Sequence, residues 1–356
     1  MRTFVTGSTG FVGGAVVRGL LKAGHEVRAL VRPGADTQLL DGLPVERVEG
    51  SLADFASLRR GMKGCQWVFH VAALYSFWGH SWDEFYQANV EGTRRTLEAA
   101  RQEQVERIVH TSSISTLGIC HNGKLTTEDT PSTLAERIGP YQRSKFLAEE
   151  VVREYARQGL PVVTVNPSSP VGIGDHKPTP TGQIIVDFLN GRMFGYVDTG
   201  LNFIDVDDVA TGHLQAVERG RIGERYILGG ENLTLKQILD LLAEISGEPP
   251  ARLHIPHWVA YLWSYADVGM ARWNPRHTPA ATADKVRLAR HYEYYDCSKA
   301  VRELGLPQTP VRVALAKAVE WYRAHGYAPK ATARERAGRA PRGPRALFRQ
   351  TKHETP

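Results

Sequence analysis

The chain has 356 residues, of which 42% are hydrophobic and 23% charged, a composition typical of globular proteins and not of fibrous or disordered ones. No apolar run reaches the roughly 20 residues needed to cross a bilayer, and a strand-like run follows Met1 directly, which predicts a cytoplasmic protein without a signal peptide. The formal charge of +6 does not indicate a nucleic-acid-binding body, because residues 330–356 contain eight Lys or Arg and two Glu, leaving the remainder near neutral.

Short apolar runs alternate with helical patterns over the first half of the chain. This alternation predicts βα units and a doubly wound parallel Rossmann sheet, an α/β fold that binds its ligand at the carboxyl ends of the strands. The predicted strands are Arg2–Thr6, Glu26–Val31, Val45–Glu49, Trp67–Val71, Arg107–Thr111 and Pro161–Val165, and the predicted helices are Phe11–Ala23, Ala53–Met62, Trp82–Gln102 and Tyr141–Gln158.

The second half predicts a smaller C-terminal substrate lobe. We expect a dinucleotide-binding domain over residues 1–165 and the lobe mainly over 166–327, with 203–218 as a segment that either stays in the lobe or returns to the sheet. Within the lobe, Arg225–Leu228 reads as a strand and Thr234 as the N-cap of a helix. The aromatic stretch Trp258–Trp273 predicts a helix that faces the core or a dimer partner, or else forms a wall for an apolar substrate.

The segment 328–356 is rich in Pro, Gly, Arg and Ala, which predicts a disordered basic extension. Weak contact with anionic lipid or RNA is the alternative.

Glycines at the first strand-to-helix turn predict a dinucleotide site. Gly7 and Gly10 permit a tight turn close to a pyrophosphate, and Gly13 allows the helix to pack closely on the strand. The amides that open the helix, around Thr9, Phe11 and Val12, would face the phosphates together with the positive end of the helix dipole.

The end of the second predicted strand indicates which nucleotide binds. An NAD site usually carries a carboxylate there for the ribose 2′-hydroxyl, whereas this chain has Arg28 and Arg32. A guanidinium suits a 2′-phosphate, so NADP(H) is preferred, NAD(H) is the alternative, and Arg32 is the better candidate.

Tyr141 and Lys145 form a predicted acid/base pair, since they stand one helical turn apart on one face. A nearby ammonium favours the phenolate and moves the phenol toward useful acid/base strength. Ser113, after the fifth strand, places a hydroxyl at the same edge of the sheet.

Together these residues resemble the extended short-chain dehydrogenase/reductase proteins of the epimerase/dehydratase and dihydroflavonol-reductase branch. A closer resemblance is to the hopanoid-associated sugar epimerase group, and the likeness covers about residues 1–327. The motifs that carry it are the Gly7/Gly10/Gly13 turn, Val68–Ala73, Asn89–Thr93, Thr111–Ser113, Tyr141/Lys145, Asn166–Pro167, Lys177–Gly182, Tyr196–Asn202 and Leu228–Thr234.

The resemblance implies roles for single residues. Tyr141 would be the general acid/base, Ser113 would hold the substrate oxygen, and Lys145 would tune Tyr141 and grip the nicotinamide ribose. Ala72 and Ala73 would line that ribose, and Pro167 with Ser169 the nicotinamide. Ser51, followed by Leu52, stands where relatives often have Asp before Leu, and would accept a hydrogen bond from adenine more weakly. A homodimer through Trp82–Gln102 and Tyr141–Gln158 is also implied.

Three reactions fit this set: reduction of a carbonyl, sugar epimerisation and dehydration. Dehydration is disfavoured because Ser113 is not followed by an acidic pair. The arginines favour an NADP(H) reductase, while the resemblance favours an epimerase, and a silent redox sensor is a further alternative. The aromatic segment with Tyr75 and Trp78 suits a sugar, a flat ring system or an isoprenoid body, so a hopanoid-linked or other lipid substrate is a hypothesis.

The remaining histidines, Asn89 and the cysteines are the other polar or reactive side chains that the sequence singles out. His70 and His110 lie in apolar strands without a second ligand at metal spacing, so we expect core histidines and no metal. Asn89 either serves a proton relay or bridges neighbouring segments. Three widely spaced cysteines, at positions 65, 120 and 297, predict reduced thiols.

Overall fold

The computed structural model describes residues 1–76, 78–119, 124–273 and 282–329. The expectations for the cysteine at position 120 and for the basic segment 330–356 lie outside the described residues.

Twelve strands are present in the described part of the chain. They are β1 (Arg2–Thr6), β2 (Glu26–Val31), β3 (Val45–Glu49), β4 (Trp67–His70), β5 (Arg107–Thr111), β6 (Val162–Pro167), β7 (Ser169–Val171), β8 (Gly195–Tyr196), β9 (Gly200–Asp205), β10 (Arg225–Leu228), β11 (Glu231–Thr234) and β12 (Leu253–His254).

Twelve α-helices accompany them in the same ranges. They are α1 (Phe11–Lys22), α2 (Phe55–Met62), α3 (Trp82–Phe85), α4 (Gly92–Gln102), α5 (Gly139–Arg157), α6 (Pro180–Leu189), α7 (Val206–Arg219), α8 (Leu235–Ser246), α9 (His257–Trp273), α10 (Ala283–Leu288), α11 (Ser298–Leu304) and α12 (Val311–Ala324). The predicted helix Trp82–Gln102 is α3 and α4 joined by a π-helical turn, Tyr86–Glu91.

Seven parallel strands form the central sheet in the order β10-β6-β5-β4-β1-β2-β3. The strand order reverses beside β1, which opens a crevice at the carboxyl edge between β1 and β4. Helices α1, α7 and α11 cover one face with a core that includes Val16, Leu20 and Val209, while α2, α4 and α5 cover the other with Leu58 and Leu97. The predicted α/β class with a doubly wound parallel sheet is confirmed.

A second core lies under the three-stranded sheet β11-β9-β7, where α6, α8 and α12 pack together. The two cores do not divide the chain at a single point near residue 166, the expected start of the substrate lobe, because later segments return to the main sheet. Strand β9 stays in the small sheet, α7 packs on α1, and β10 joins the main sheet beside β6. The reason is that Tyr226, Ile227 and Leu228 are apolar on both faces of β10 and fully buried, the pattern of a strand in a covered parallel sheet.

Among the helices of the described ranges, none combines the length and hydropathy that crossing a bilayer requires.

Candidate active site

The first strand-to-helix turn is built by close backbone contacts. Gly7 has φ +71°, and a Cβ added there would lie 2.6 Å from the backbone nitrogen of Ala72. A Cβ on Gly13 would lie 2.0 Å from the carbonyl oxygen of Gly7. Helix α1 begins after Gly10 with no side-chain cap, so the amides of its first turn point to the crevice without a partner from a capping side chain. This arrangement fits the pyrophosphate of a dinucleotide.

Arg28 in β2 and Arg32 directly after it have different surroundings. Arg28 donates from Nε to Glu46 at 2.7 Å and from Nη1 to the Lys63 carbonyl at 2.7 Å, so it supports the sheet edge. Arg32 is exposed and makes no side-chain hydrogen bond or ion pair with any residue in the described ranges. It lines a pocket of about 380 Å³ together with Thr9, Gly10 and Phe11 at the start of α1.

Asp36 lines the same pocket and was not singled out from the sequence. Its carboxylate accepts from Gln38 at 3.1 Å and lies 3.8 Å from Nε2 of His176. Lys177 completes the pocket from the loop after β7, which adds a second cation. Asp36 is hard to recognise as a nucleotide-binding residue in the sequence, because it lies five residues after β2, beyond a Pro-Gly turn.

The remaining predicted cofactor residues lie near the carboxyl edge of the sheet. Ala72 donates its backbone N–H to Oγ1 of Thr6 at 3.2 Å, and Ala73 is exposed beside it. Pro167 ends β6, and Ser169 begins β7. Ser51 accepts from the Ala53 amide at 3.3 Å, and Leu52 packs beneath Gly92. Their roles toward a dinucleotide stay predictions.

The structure brings Tyr141, Ser113 and Lys145 together. Tyr141 lies in the first turn of α5, and its phenol hydrogen-bonds Ser113, which follows β5. Burial raises the pKa of Tyr141 to about 12, although the bond to Ser113 lowers it. Lys145 donates from Nζ to the Thr111 carbonyl at 2.8 Å. Burial lowers the pKa of Lys145 to about 8, against the opposing charge of Glu149.

These pKa directions differ from the expectation that the ammonium shifts Tyr141 toward the phenolate. The phenol is enclosed by protein, with the Tyr75 ring centroid 4.6 Å from its own, and the loss of water outweighs the stabilisation of its charge. Burial therefore favours the neutral phenol over the phenolate at Tyr141.

Asn89 supports this group from the π-helical turn. Its side chain accepts from the Leu74 amide at 2.6 Å and donates to Ser144 Oγ at 2.9 Å. These bonds tie the segment after β4 to helix α5, whereas the roles expected for Asn89, a proton relay or capping or bridging of strands, stay predictions. Single-turn π-helical insertions are frequent at functional sites.

Glu149, one turn beyond Lys145, is a buried residue that sequence reasoning missed. It accepts from Ser112 Oγ at 2.5 Å and Thr116 Oγ1 at 2.7 Å, and pairs with Arg225 of β10 at 3.1 Å. Burial alone would raise the pKa of Glu149, but Arg225 and these hydroxyls outweigh it and lower the pKa. Glu149 thus ties α5 to the ends of β5 and β10.

A cleft of about 420 Å³ opens beside Tyr141. Its walls include Trp78, Phe85 and Ile138, with Asp284 of α10 on the far side. Tyr75, a predicted substrate contact, packs with its ring tilted by 48° against Tyr141, and its role toward a substrate stays a prediction.

Glu293 lies close enough to Tyr75 for its charge to raise the pKa of that phenol, and burial raises the pKa of Glu293 itself to about 7. Asp284 and Glu293 could not be found from the sequence, because both lie far from the motifs along the chain.

The two strand histidines are buried, as predicted. His70 is hydrogen-bonded to Thr6 at 2.8 Å and Thr93 at 3.0 Å, and burial lowers its pKa to about 3. His110 is buried with neither ring nitrogen bonded to a described residue. No group of three or more metal-binding side chains occurs within the described ranges. Cys65 is a buried free thiol, and Cys297 is half-buried.

Known proteins are similar to this chain over most of its length. The chain is 45% identical over 328 residues to a putative dihydroflavonol 4-reductase of Synechocystis, covering 91% of this chain and 95% of the relative. It is 39% identical to sterol demethylase protein B of Methylococcus capsulatus, covering 92% and 99%. A ketoreductase of Stigmatella aurantiaca that acts on a farnesyl-dihydroquinoline oxide is 35% identical, covering 86% and 91%.

Solved structures agree. The crystal structure of gox2253 has a TM-score of 0.82 at 41% identity, covering 92% of this chain and 99% of that one. A nucleoside-diphosphate-sugar epimerase from Pseudomonas aeruginosa has a TM-score of 0.77 at 29% identity, with the same coverage.

The family profile gives the assignment. The profile of the NAD dependent epimerase/dehydratase family matches residues 3–229, which contain the glycine turn, Ser113, Tyr141 and Lys145. The chain therefore belongs to this family, in its extended short-chain dehydrogenase/reductase branch, and is an NAD(P)-dependent enzyme of the oxidoreductase/epimerase type.

Proposed function

We propose that this enzyme is an NADP(H)-dependent reductase that converts a ketone into a secondary alcohol on a large apolar substrate of the isoprenoid or polycyclic lipid type, as a hopanoid pathway would require. One observation carries the proposal. The phenol of Tyr141 is half-buried, is hydrogen-bonded to Ser113, and lines a cleft with aromatic and aliphatic walls.

Each residue has a defined task in this reaction. The turn from Gly7 to Gly13 and the first amides of α1 hold the pyrophosphate, and Arg32 binds the 2′-phosphate. Lys145 binds the nicotinamide ribose. The bound nicotinamide dinucleotide supplies the hydride to the carbonyl carbon.

Proton transfer is the part performed by the chain. Ser113 donates a hydrogen bond to the carbonyl oxygen, and Tyr141 gives that oxygen a proton as negative charge develops there. A phenol with a pKa near 12 is a weak acid in the resting protein, yet it is stronger than the alcohol that forms. Proton transfer therefore runs toward the product. The same groups act in reverse for oxidation of a secondary alcohol.

The residues that line the cleft favour an apolar substrate over a charged one. Among its described lining residues there is no Lys or Arg, so the diphosphate of a sugar nucleotide would meet no cation there, while Asp284 would repel it. Trp78 and Phe85 offer apolar area to a ring system or prenyl chain. The named substrates of the relatives, a dihydroflavonol, a sterol and a farnesylated ketone, share this apolar character.

A sugar epimerase is the second candidate, favoured by the similarity to a nucleoside-diphosphate-sugar epimerase. An epimerase must keep its cofactor through the cycle and usually holds NAD. Denaturing the purified protein and identifying the released nucleotide separates the two: tightly held NAD supports the epimerase, whereas an empty site that takes up NADPH supports the reductase.

The direct test is NADPH oxidation with a panel of ketones: a steroid ketone, a dihydroflavonol, a 2-alkyl-3-oxoacid and, for comparison, UDP-glucose. We expect turnover with an apolar ketone and none with UDP-glucose. Tyr141→Phe should keep NADPH binding and lose about 100-fold or more of kcat. Tyr155→Phe, on the same helix with its hydroxyl toward Glu98, is the control and should behave as wild type. Full activity of Tyr141→Phe would refute the acid assignment, and cofactor binding without turnover of any substrate would favour a redox sensor.

A further inference from the structure

Helix α9 presents its apolar side chains to solvent. Nine of its described side chains are exposed: Trp258, Val259, Leu262, Trp263, Tyr265, Ala266, Gly269, Met270 and Trp273. At 3.6 residues per turn these nine positions fall within an arc of about 160°. None of them is charged, so a face that normally carries Lys and Glu carries aromatic and aliphatic groups instead.

The opposite face of α9 packs against the protein and is made of small and polar residues. Ser264, Asp267 and Ala271 are buried there, with 1%, 2% and 7% of their surface exposed. The large aromatic and aliphatic side chains of the helix thus point outward, the reverse of an ordinary surface helix. Of the roles expected for Trp258–Trp273, a core helix does not describe this outward face, while a face toward a partner or an apolar substrate stays a prediction.

The exposed surface is large. Trp258, Trp263 and Trp273 are 65%, 58% and 91% exposed, which at roughly 150–250 Å² per aromatic side chain gives on the order of 400 Å². Phe194 and Leu253, on the paired segments that precede α9, extend the patch. Contiguous apolar patches of this size mark a protein or membrane contact.

We propose that the exposed face of α9 docks on the surface of a lipid bilayer, with the helix lying in the plane of the headgroups. Trp and Tyr are the side chains that favour the interface between headgroup and acyl chain. The charges around the helix suit an anionic headgroup surface. The only acid in residues 249–273 is the buried Asp267. Arg252 before the helix and Arg290, which lies over the Tyr261 ring, are both exposed. The basic segment 330–356 is too polar in sequence to cover an apolar face.

Helix α10 links α9 to the substrate cleft. It packs on α9, and its Asp284 lines the cleft beside Tyr141. Docking through α9 would therefore hold the cleft near the membrane. This inference does not depend on the reductase assignment, because bilayer binding is measured without cofactor or substrate.

The test is flotation of the full chain with vesicles of phosphatidylcholine, alone and mixed with phosphatidylglycerol. We expect wild-type protein to float with both, more with the anionic lipid, and to stay bound at high salt. High salt screens contact through the basic segment 330–356 and leaves insertion of Trp side chains in place. The triple variant Trp258→Gln, Leu262→Gln, Trp273→Gln should lose at least about tenfold in binding. Ile222→Gln, an exposed apolar residue on the loop after α7, is the matched control and should bind as wild type.

A second readout does not depend on the variants. Tryptophan fluorescence of the wild type should shift to shorter wavelength with vesicles and be quenched by brominated phosphatidylcholine. Three results would overturn the proposal: no flotation of the wild type, equal flotation of the triple variant, or a dimer in sedimentation velocity that the triple variant dissolves while neither protein binds vesicles. The last result would assign the face to a second copy of the chain.

Discussion

Two arginines four residues apart, one in β2 and one just after it, should respond differently to the same substitution. Arg32 makes no side-chain hydrogen bond or ion pair within the described ranges and lines the pocket at the start of α1, whereas Arg28 is bound to Glu46 and to the Lys63 carbonyl. Arg32→Met should therefore weaken NADPH binding without affecting the fold. Arg28→Met should reduce stability without affecting the nucleotide.

The magnitude follows from the contact that is lost. A hydrogen bond to a charged group contributes about 1.5–3 kcal/mol, or roughly 10- to 150-fold in affinity. Because Arg32 is exposed, water and salt screen its charge, which places the expected loss in the lower part of that range, about 10- to 30-fold. The effect should be absent with NADH, which carries no 2′-phosphate. Arg28→Met should cost about 1–2 kcal/mol of unfolding free energy.

The assay is KM and Kd for NADPH and NADH with wild type and both variants, together with urea unfolding. Equal losses for the two nucleotides in Arg32→Met would refute the 2′-phosphate assignment. So would a wild type that prefers NADH, in which case Asp36, on the same pocket, becomes the nucleotide-selecting residue.

Three further predictions rest on the site. Glu149→Ala should cost about 1–3 kcal/mol in urea unfolding, since it removes the acceptor of the buried Ser112 and Thr116 hydroxyls and the partner of the half-buried Arg225, while the exposed Glu154→Ala on the same helix should stay within about 0.5 kcal/mol; because the pKa of Glu149 is lowered from 4.5, its contribution is complete above that pH and is lost as the pH falls below it, and equal losses in both variants would contradict this. Lys145→Met should abolish turnover yet raise the unfolding free energy by about 1–3 kcal/mol below pH 8. Burial disfavours the charged amine and lowers its pKa to about 8, so removing the amine relieves that cost wherever it is charged in the folded protein. The gain in stability should shrink as the pH rises above 8, and a destabilised variant would refute this prediction. Gly13→Ala should lose at least about tenfold in NADPH affinity, because its Cβ would lie 2.0 Å from the Gly7 carbonyl. Gly14→Ala, whose Cβ would meet the flexible side chains of Leu39 at 3.1 Å and Arg18 at 3.5 Å, should have a much smaller effect, and equal affinities would contradict the packing argument.

The parts of the protein that depend on short-range spacing could be predicted from the sequence. Strands β1, β2, β3 and β5 have the bounds expected from their apolar runs. The glycine turn and the Tyr141–Lys145 pair were also recognisable, because a tight turn and one turn of helix place residues by local geometry alone.

Tertiary structure decided which of these residues have partners. The sequence could not distinguish Arg28 from Arg32 by anything except position, since Glu46 and Lys63 reach Arg28 from other segments. It likewise missed Glu149, which meets Arg225 across 76 residues.

Burial and orientation are the remaining properties that only the fold determines. The pKa of Tyr141 rises because residues far along the chain remove water from it, which no local pattern encodes. The aromatic run Trp258–Trp273 predicted a helix correctly, but which face points outward depends on what packs against it. The sequence alone predicted the first strands, the glycine turn and the one-turn spacing of Tyr141 and Lys145, whereas burial and long-range partners, which depend on the whole packed chain, determine the raised pKa of Tyr141 and the outward apolar face of α9.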